Sequence, residues 1–457
     1  MKEIQVLLEK YNKPVPRYTS YPAVPFWYSF DEIHEEKWKE VIKNKSRLFN
    51  NQTGMSLYIH LPFCESLCTY CGCNKKITTN HNVEEEYIDL VLKEWQLYCG
   101  LLNEMPVIRE LHLGGGTPTF FSPANLQKLM NGLLNNAVVH PQKEFSFEGH
   151  PNNTTKQHLQ TLFNLGFTRV SHGVQDNDPV VQRAINRIQP LSNVRAATEN
   201  ARAAGYRSVN FDLIYGLPFQ TLKSMEKTIK EIIQLKPDRI AFYSYAHVPW
   251  KQRSQRLFDE SDLPGAGLKM QLYMLGKTLL ASAGYTDIGM DHFALPHDDL
   301  YKEWQKNNLH RNFMGYTITH TKILCGLGVS AISDFDGAYA QNHKELENYY
   351  RSINNNKLAV TKGYFPNNTD GDIKQYILDI ACKGQTILQP KHDELLMEFI
   401  LPSLLELEKD GLVTIDGNRL KVTNIGKHFI RNICHAFDVF EHSAKSMESK
   451  NVFSKAV

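Results

Sequence analysis

Six short β-rich runs separated by amphipathic helical stretches constrain this chain more than any other feature. The runs are Ser56–Leu61, Glu110–Leu113, Glu144–Glu148, Arg169–His172, Ser208–Leu213 and Arg239–Ser244. Between them lie Glu84–Leu97, Ala124–Leu134, Lys156–Leu165, Asn193–Ala204 and Lys223–Leu235. Strands that alternate with helices take right-handed crossovers and build a parallel sheet. The expected fold is α/β, with six units forming an open or complete barrel. Polar and glycine-rich signals sit just after the runs, not before them. A cysteine loop follows the first and Gly114-Gly115-Gly116-Thr117-Pro118 the second. Glu148 closes the third, Gln175 follows the fourth, Asp212 and YGLP (215–218) close the fifth, and Tyr245-Ala246-His247 follows the sixth. Parallel α/β folds bind ligands at the carboxyl ends of their strands. One binding rim is therefore expected.

Four of the eight cysteines, Cys64, Cys68, Cys71 and Cys73, fall within ten residues. Thiolates are soft ligands that select zinc or iron–sulfur clusters. Zinc sites usually pair two short Cys-x-x-Cys knuckles across a longer loop. Here one loop offers C-x3-C-x2-C and a further Cys two positions on, while Cys99, Cys325, Cys382 and Cys434 are scattered singly. Three closely spaced thiolates suit a cubane cluster with one iron left open. A zinc loop is the competing reading, and a disulfide framework lacks a pairing pattern.

The 51 basic and 49 acidic residues nearly cancel, and no basic block suggests nucleic acid. No apolar stretch approaches the ~18 residues that span a bilayer. The first segment breaks its apolar residues with Glu and Lys, unlike a secretory signal. Unpaired thiols without an export signal point to the reducing cytoplasm.

Three units are expected: an N-terminal arm (1–50), the barrel and its extension (51–365), and a mostly helical C-terminal unit (366–457). In the last, Leu412–Ile415 and Arg419–Val422 flank Asp416-Gly417, a hairpin turn signal, so the order reads like a winged helix. It is not markedly basic, and such modules also serve as packing or lid elements.

The glycine edge at 114–116 is read as a close backbone approach to a ligand, or as a tight turn. Glu148 and Asp212 are placed to take a diol or an ammonium, although capping and surface roles are their ordinary uses. Gln175-Asp176 and Asn186-Arg187 fall where a second polar ligand would lie. Arg187 suits a carboxylate, or is a solvated arginine early in a helix. His292, His310, His320 and His343 lack metal-ligand spacing, while His310-Arg311-Asn312-Phe313 reads as a binding loop. The arm carries Arg17 in a proline-bounded aromatic segment. A lid over the site and an element packed outside the barrel suit it equally.

C-x3-C-x2-C with Tyr70 before its third cysteine is the radical S-adenosylmethionine (SAM) signature. The whole chain closely resembles the oxygen-independent coproporphyrinogen III oxidases of that superfamily. The resemblance includes PRYTSYP (16–22), YIHLPFC (58–64), CTYCGCNK (68–75), HLGGGTPT (112–119), GVQD (173–176) and NFDLIYGLP (210–218). It continues through YAH (245–247), GMDHFA (289–294), HRNFMGYT (310–317), GLGVSAIS (326–333) and YAQN (339–342).

The resemblance implies a partial (β/α)6 TIM-like barrel. It implies a 4Fe-4S cluster on Cys64, Cys68 and Cys71, with Cys73 not a ligand. Tyr58, Gly115, Glu148 and Ile332 would hold cluster-bound SAM. Tyr70, Gly116, Thr117, Gln175, Arg187, Asp212 and Ala246 would hold a second SAM. One-electron cleavage would give a 5′-deoxyadenosyl radical that abstracts hydrogen from a propionate. Loss of carbon dioxide and one more electron, twice over, would convert coproporphyrinogen III to protoporphyrinogen IX. A flavodoxin or ferredoxin is the expected electron donor, and a monomer is expected. Haem-binding chaperones and a haem-degrading methyltransferase use related scaffolds, but PRYTSYP and the long arm belong to the oxidase branch. One departure is Gly149-His150 after Glu148, where many members carry Val-Asp.

Overall fold

The computed structural model describes residues 2–389, 398, 400–440 and 453. All six runs form strands: β1 (Met55–Leu61), β2 (Val107–Gly115), β3 (Val138–Gly149), β4 (Arg169–Gln175), β5 (Ser208–Tyr215) and β6 (Arg239–Ser244). They pair in parallel, each with the next in chain order. The five expected helices lie between them, and short signals fix their ends. Ser122 Oγ accepts from Asn125 N at 3.2 Å, with Pro123 in the first turn. Thr155 and Thr221 each close a capping box.

The sheet extends well beyond the six strands, to thirteen. Ile323–Leu327 joins β1 in parallel, and Ile332–Phe335, Ala338–Asn342 and Val360–Tyr364 follow in antiparallel order. The arm adds its own edge strand, Tyr28–Ser29. On the other side, His292–Ala294 pairs with β6 and Thr286–Gly289 with His292–Ala294.

Side chains alternate across a strand, so one face of the sheet carries Leu57, Ile59, Leu111, Leu113, Phe145, Phe147, Phe211 and Phe242, all fully buried. Strands covered by core on both faces read as continuous apolar runs. Here the other face is polar. His112, Ser146, Glu148, Ser171, Asn210, Asp212 and Tyr243 line a cavity of about 190 Å³.

The helix Val83–Cys99 is tied to the sheet extension through one buried acid. Glu94 accepts from Gly328 N (2.7 Å), Asn342 Nδ2 (2.7 Å) and Tyr349 OH (2.8 Å). Burial pushes its carboxyl up to about 7, against the pull of those three donors. Glu94→Ala would orphan all three donors and is expected to cost roughly 3 kcal/mol or more, measured by chemical denaturation.

The arm packs against both neighbours. Tyr18 OH donates to Asp438 Oδ2 (3.0 Å) and contacts His435 Nδ1 (3.0 Å). Arg431 donates to the carbonyls of Val15 and Pro16, and Trp27 stacks on Tyr339 with ring centroids 5.0 Å apart. In the C-terminal segment the expected hairpin is present as Val413–Asp416 and Arg419–Val422, flanked by Asn368–Lys383, Leu401–Lys409 and Ile430–His435. A third strand, Gln385–Ile387, completes that small sheet. Of the expected 366–457 unit, residues 390–397, 399, 441–452 and 454–457 lie outside the described residues. Among the described residues no helix is long and apolar enough to cross a membrane.

Candidate active site

The cysteine loop leaves the carboxyl end of β1 and is pinned at its base. Phe63–Cys64 pairs in parallel with Lys76–Ile77. Gly116 N donates to Leu61 O (2.8 Å) and Thr117 N to Phe63 O (3.0 Å). Farther out, Thr69 N donates to Ile185 O (3.0 Å) and Asn186 Nδ2 to Leu67 O (2.8 Å). Those bonds seat the 184–187 turn on the loop and deliver Arg187 to the thiols. Its Nη1 lies 3.6 Å from Cys68 Sγ, its Nη2 donates to Gly173 O at 2.5 Å, and its Nε is buried without a partner.

All the cysteines are free, and Cys64, Cys68 and Cys71 are half-buried while Cys73 is exposed. Cys64 Sγ lies 3.2 Å from Thr117 Oγ1. Burial pushes the Cys64 thiol up to about 11, and Cys71 and Cys68 add to the shift. Three thiols on one loop beside a cation fit a soft metal group, which would take the sulfurs as thiolates and whose negative charge Arg187 would offset. Among the described residues no three His, Cys, Asp or Glu side chains are already drawn together at metal-ligand spacing.

Glu148 sits at the end of β3, beside this loop. Its Oε2 accepts from Gly115 N (3.1 Å), and its Oε1 lies 3.4 Å from His112 Nε2. Burial opposes ionisation, but His112 and the Gly115 N–H outweigh it and hold the carboxyl below its ordinary value. The side chain keeps 45% of its accessibility, directed into the cavity it lines. Tyr58 stacks near His112 and bonds His60 Nδ1 at 3.0 Å. Across the cavity, Asp212 accepts from Ser171 Oγ (2.8 Å) and Asn210 Nδ2 (2.9 Å). Burial pushes its carboxyl up to about 6. Two anchored carboxylates in a polar pocket suit an ammonium and a ribose diol.

The glycine edge also serves the chain's own packing. A Cβ on Gly115, whose φ is +115°, would lie 2.7 Å from the His60 ring, and one on Gly116 would lie 2.5 Å from the Pro62 carbonyl. The chain's own packing therefore demands glycine at both places. Their N–H groups are also used internally, by Glu148 and Leu61.

Most of the expected site residues converge. Gln175, at φ +68°, places its Nε2 beside Gly173 and Arg187. Tyr70 lies within electrostatic reach of Arg187, Cys68 and Cys71. Ile332 stands apart: it opens its own strand, separated from β1 by Ile323–Leu327. His310–Asn312 is not a loop but one strand of a hairpin with Gly315–Thr317. At the departure from the family pattern, His150 Nδ1 accepts from Asn152 N at 3.2 Å, a turn bond an aspartate also makes. Thr154 and His172 crowd the space beside Gly149.

Sequence patterns do not reveal Gln255. Its buried amide donates to Tyr70 O (3.0 Å) and Ala246 O (3.2 Å) and accepts from Val248 N (2.6 Å), so it joins the cysteine loop to the loop after β6. His60 was open to discovery, since it lies two residues from Tyr58 on the same strand face.

Residues 58–232 match the family model of the radical SAM superfamily. The chain is 38% identical over 444 residues to the oxygen-independent coproporphyrinogen III oxidase of Pseudomonas aeruginosa, covering 94% of this chain and 95% of that protein. Its counterpart from Helicobacter pylori (strain J99) is 37% identical, with 97% and 98% covered. The solved structure of coproporphyrinogen III oxidase (HemN) from Escherichia coli, described as a radical SAM enzyme, superposes with a TM-score of 0.86 at 35% identity, covering 94% of this chain and all of that one. With that sheet, that cysteine loop and near full-length kinship, the chain belongs to the oxygen-independent coproporphyrinogen III oxidases of the radical SAM superfamily.

Proposed function

We infer that this chain decarboxylates two propionate side chains of coproporphyrinogen III to vinyl groups without oxygen, giving protoporphyrinogen IX in haem synthesis. One observation carries the reading furthest. Three free thiols, Arg187, Glu148 and Asp212 share the carboxyl-end rim of the six parallel strands. In this reading Cys64, Cys68 and Cys71 hold a 4Fe-4S cluster. Tyr58, Gly115 and Glu148 hold the SAM nearest it, with Ile332 assigned by resemblance alone. Tyr70, Gly116, Thr117, Gln175, Arg187, Asp212 and Ala246 hold a second SAM.

When bound, the cluster and SAM supply a carbon radical that removes hydrogen from a propionate. The protein positions and shields. Glu148 is a fixed acceptor, oriented before any ligand arrives by Gly115 and His112. Arg187 faces the thiolates and offsets their charge. Gln255 holds two loops at one spacing. A flavodoxin or ferredoxin delivers electrons, and the protein works as a cytoplasmic monomer.

Glu148→Ala is expected to weaken SAM binding about 10-fold or more while the cluster spectrum stays intact, because a charged acceptor is lost. Equilibrium binding to reconstituted protein measures this, and normal affinity would remove Glu148 from the site. Gly115→Val is a poorer probe, because its side chain would strike His60 whether or not SAM is present. The function itself is tested by anaerobic incubation with coproporphyrinogen III, SAM and a reductant. Release of vinyl products is expected, whereas retention of haem without turnover would replace the oxidase reading with the chaperone one.

A further inference from the structure

A second, smaller cavity of about 70 Å³ lies where the arm, the 310–317 hairpin, the C-terminal unit and the end of β6 meet. Arg17, Arg311, Lys427 and Arg431 line it, four cations from three separate elements. One carboxylate, Asp291, faces the three arginines there. Arg311 is the informative member. Its guanidinium lies 5.1 Å from the centroid of the Tyr316 ring, which holds it over an aromatic face. Its Nε and Nη1 are buried without hydrogen-bond partners. Burying guanidinium donors unpaired is costly unless a ligand meets them. Tyr243 lines both this cavity and the larger one that holds Glu148 and Asp212.

We propose that Arg311, with Arg17 and Lys427, forms a carboxylate cradle that anchors the substrate propionates that are not decarboxylated. This rests on the function proposed above. Arginine pairs with carboxylates bidentately, and Arg17, Arg311 and Lys427 together offer a carboxylate more than one cation. Ion pairing stabilises a carboxylate as an anion and so opposes its departure as neutral carbon dioxide. The cradle therefore suits retained propionates. An anchor there leaves the rest of the molecule facing Glu148 and Asp212 past Tyr243.

The test uses the full-length, cluster-reconstituted protein with Arg311→Gln and Arg311→Lys. Arg311→Gln is expected to raise KM for coproporphyrinogen III ~10- to 100-fold, and Arg311→Lys to restore part of the loss. Affinity for SAM should not change, which separates the cradle from the cofactor's own carboxylate. Binding of coproporphyrin III is compared with binding of its tetramethyl ester. Wild type should prefer the acid, and Arg311→Gln should lose most of that preference. An unchanged KM, an equal loss for acid and ester, or no preference in wild type would overturn the cradle. If wild type fails to convert coproporphyrinogen III at all, the functional reading fails instead. If wild type converts it and Arg311→Gln performs equally, only the cradle falls.

Discussion

Serine at Cys64, Cys68 or Cys71 is expected to abolish the iron–sulfur absorption of the reconstituted protein and all reductive cleavage of SAM. Serine at Cys73 should leave both in place. A serine hydroxyl is a harder and far less acidic ligand than a thiol, so it does not replace thiolate on iron. The loop should survive the change. It is held by backbone bonds at Thr69 and Lys76, and by the pairing of Phe63–Cys64 with Lys76–Ile77. None of those bonds involves a sulfur. Loss of the cluster would therefore report ligation rather than collapse. Cys73 is exposed and lies beyond the C-x3-C-x2-C run, so it is not expected to hold metal. Iron analysis should find about four irons in the Cys73 variant, as in wild type. Complete loss in that variant would mean that the assignment of three ligands is wrong.

Arg17→Ala is expected to separate the two halves of the reaction. The cluster and SAM cleavage should persist, while the 5′-deoxyadenosine formed per vinyl product rises about 10-fold, the scale of one lost charge-assisted contact. Arg17 reaches the cavity wall, where its Nη2 donates to Ser244 O at 3.4 Å. It lies far from the thiol loop in the sequence and enters from the arm. Deleting residues 1–22 would be a blunter experiment. It would remove Leu7, Leu8, Tyr11, Val15, Tyr18 and Tyr21, all buried, and so destabilise the fold as well as open the site. An unchanged product ratio and rate in Arg17→Ala would leave the arm as a packing element.

The barrel strands were legible because their apolar residues recur between helical stretches and their polar signals share one end. β6 has the very bounds that the pattern predicts. The others run longer, for reasons outside hydrophobic periodicity. β3 begins at Val138 and runs through the polar stretch around Pro141, and β4 continues into the left-handed turn at Gln175. The extension from 323 to 364 was not legible. Its strands are four or five residues long, and the first finds its place only by pairing with β1, more than 250 residues earlier.

The same division holds in the site. Cys64, Glu148 and Asp212 announce themselves at strand ends. The polar face of the sheet was also written in the chain, as Tyr58 with His60 and Asn210 with Asp212 at spacing two. Arg187 and Cys68 meet across 119 positions, and no local pattern encodes that distance. Nor does the sequence say that Gly115 must be glycine because of His60. That requirement exists only once β1 and β2 are paired.

The most direct measurement follows one hydrogen atom. Coproporphyrinogen III deuterated on its propionate side chains is incubated anaerobically with the reconstituted protein, SAM and a reductant, and the 5′-deoxyadenosine is weighed by mass spectrometry. Transfer of deuterium into 5′-deoxyadenosine, together with release of carbon dioxide and appearance of vinyl groups, is the predicted result. Vinyl product accompanied by unlabelled 5′-deoxyadenosine, or cleavage of SAM with no carbon dioxide from the substrate, would contradict it.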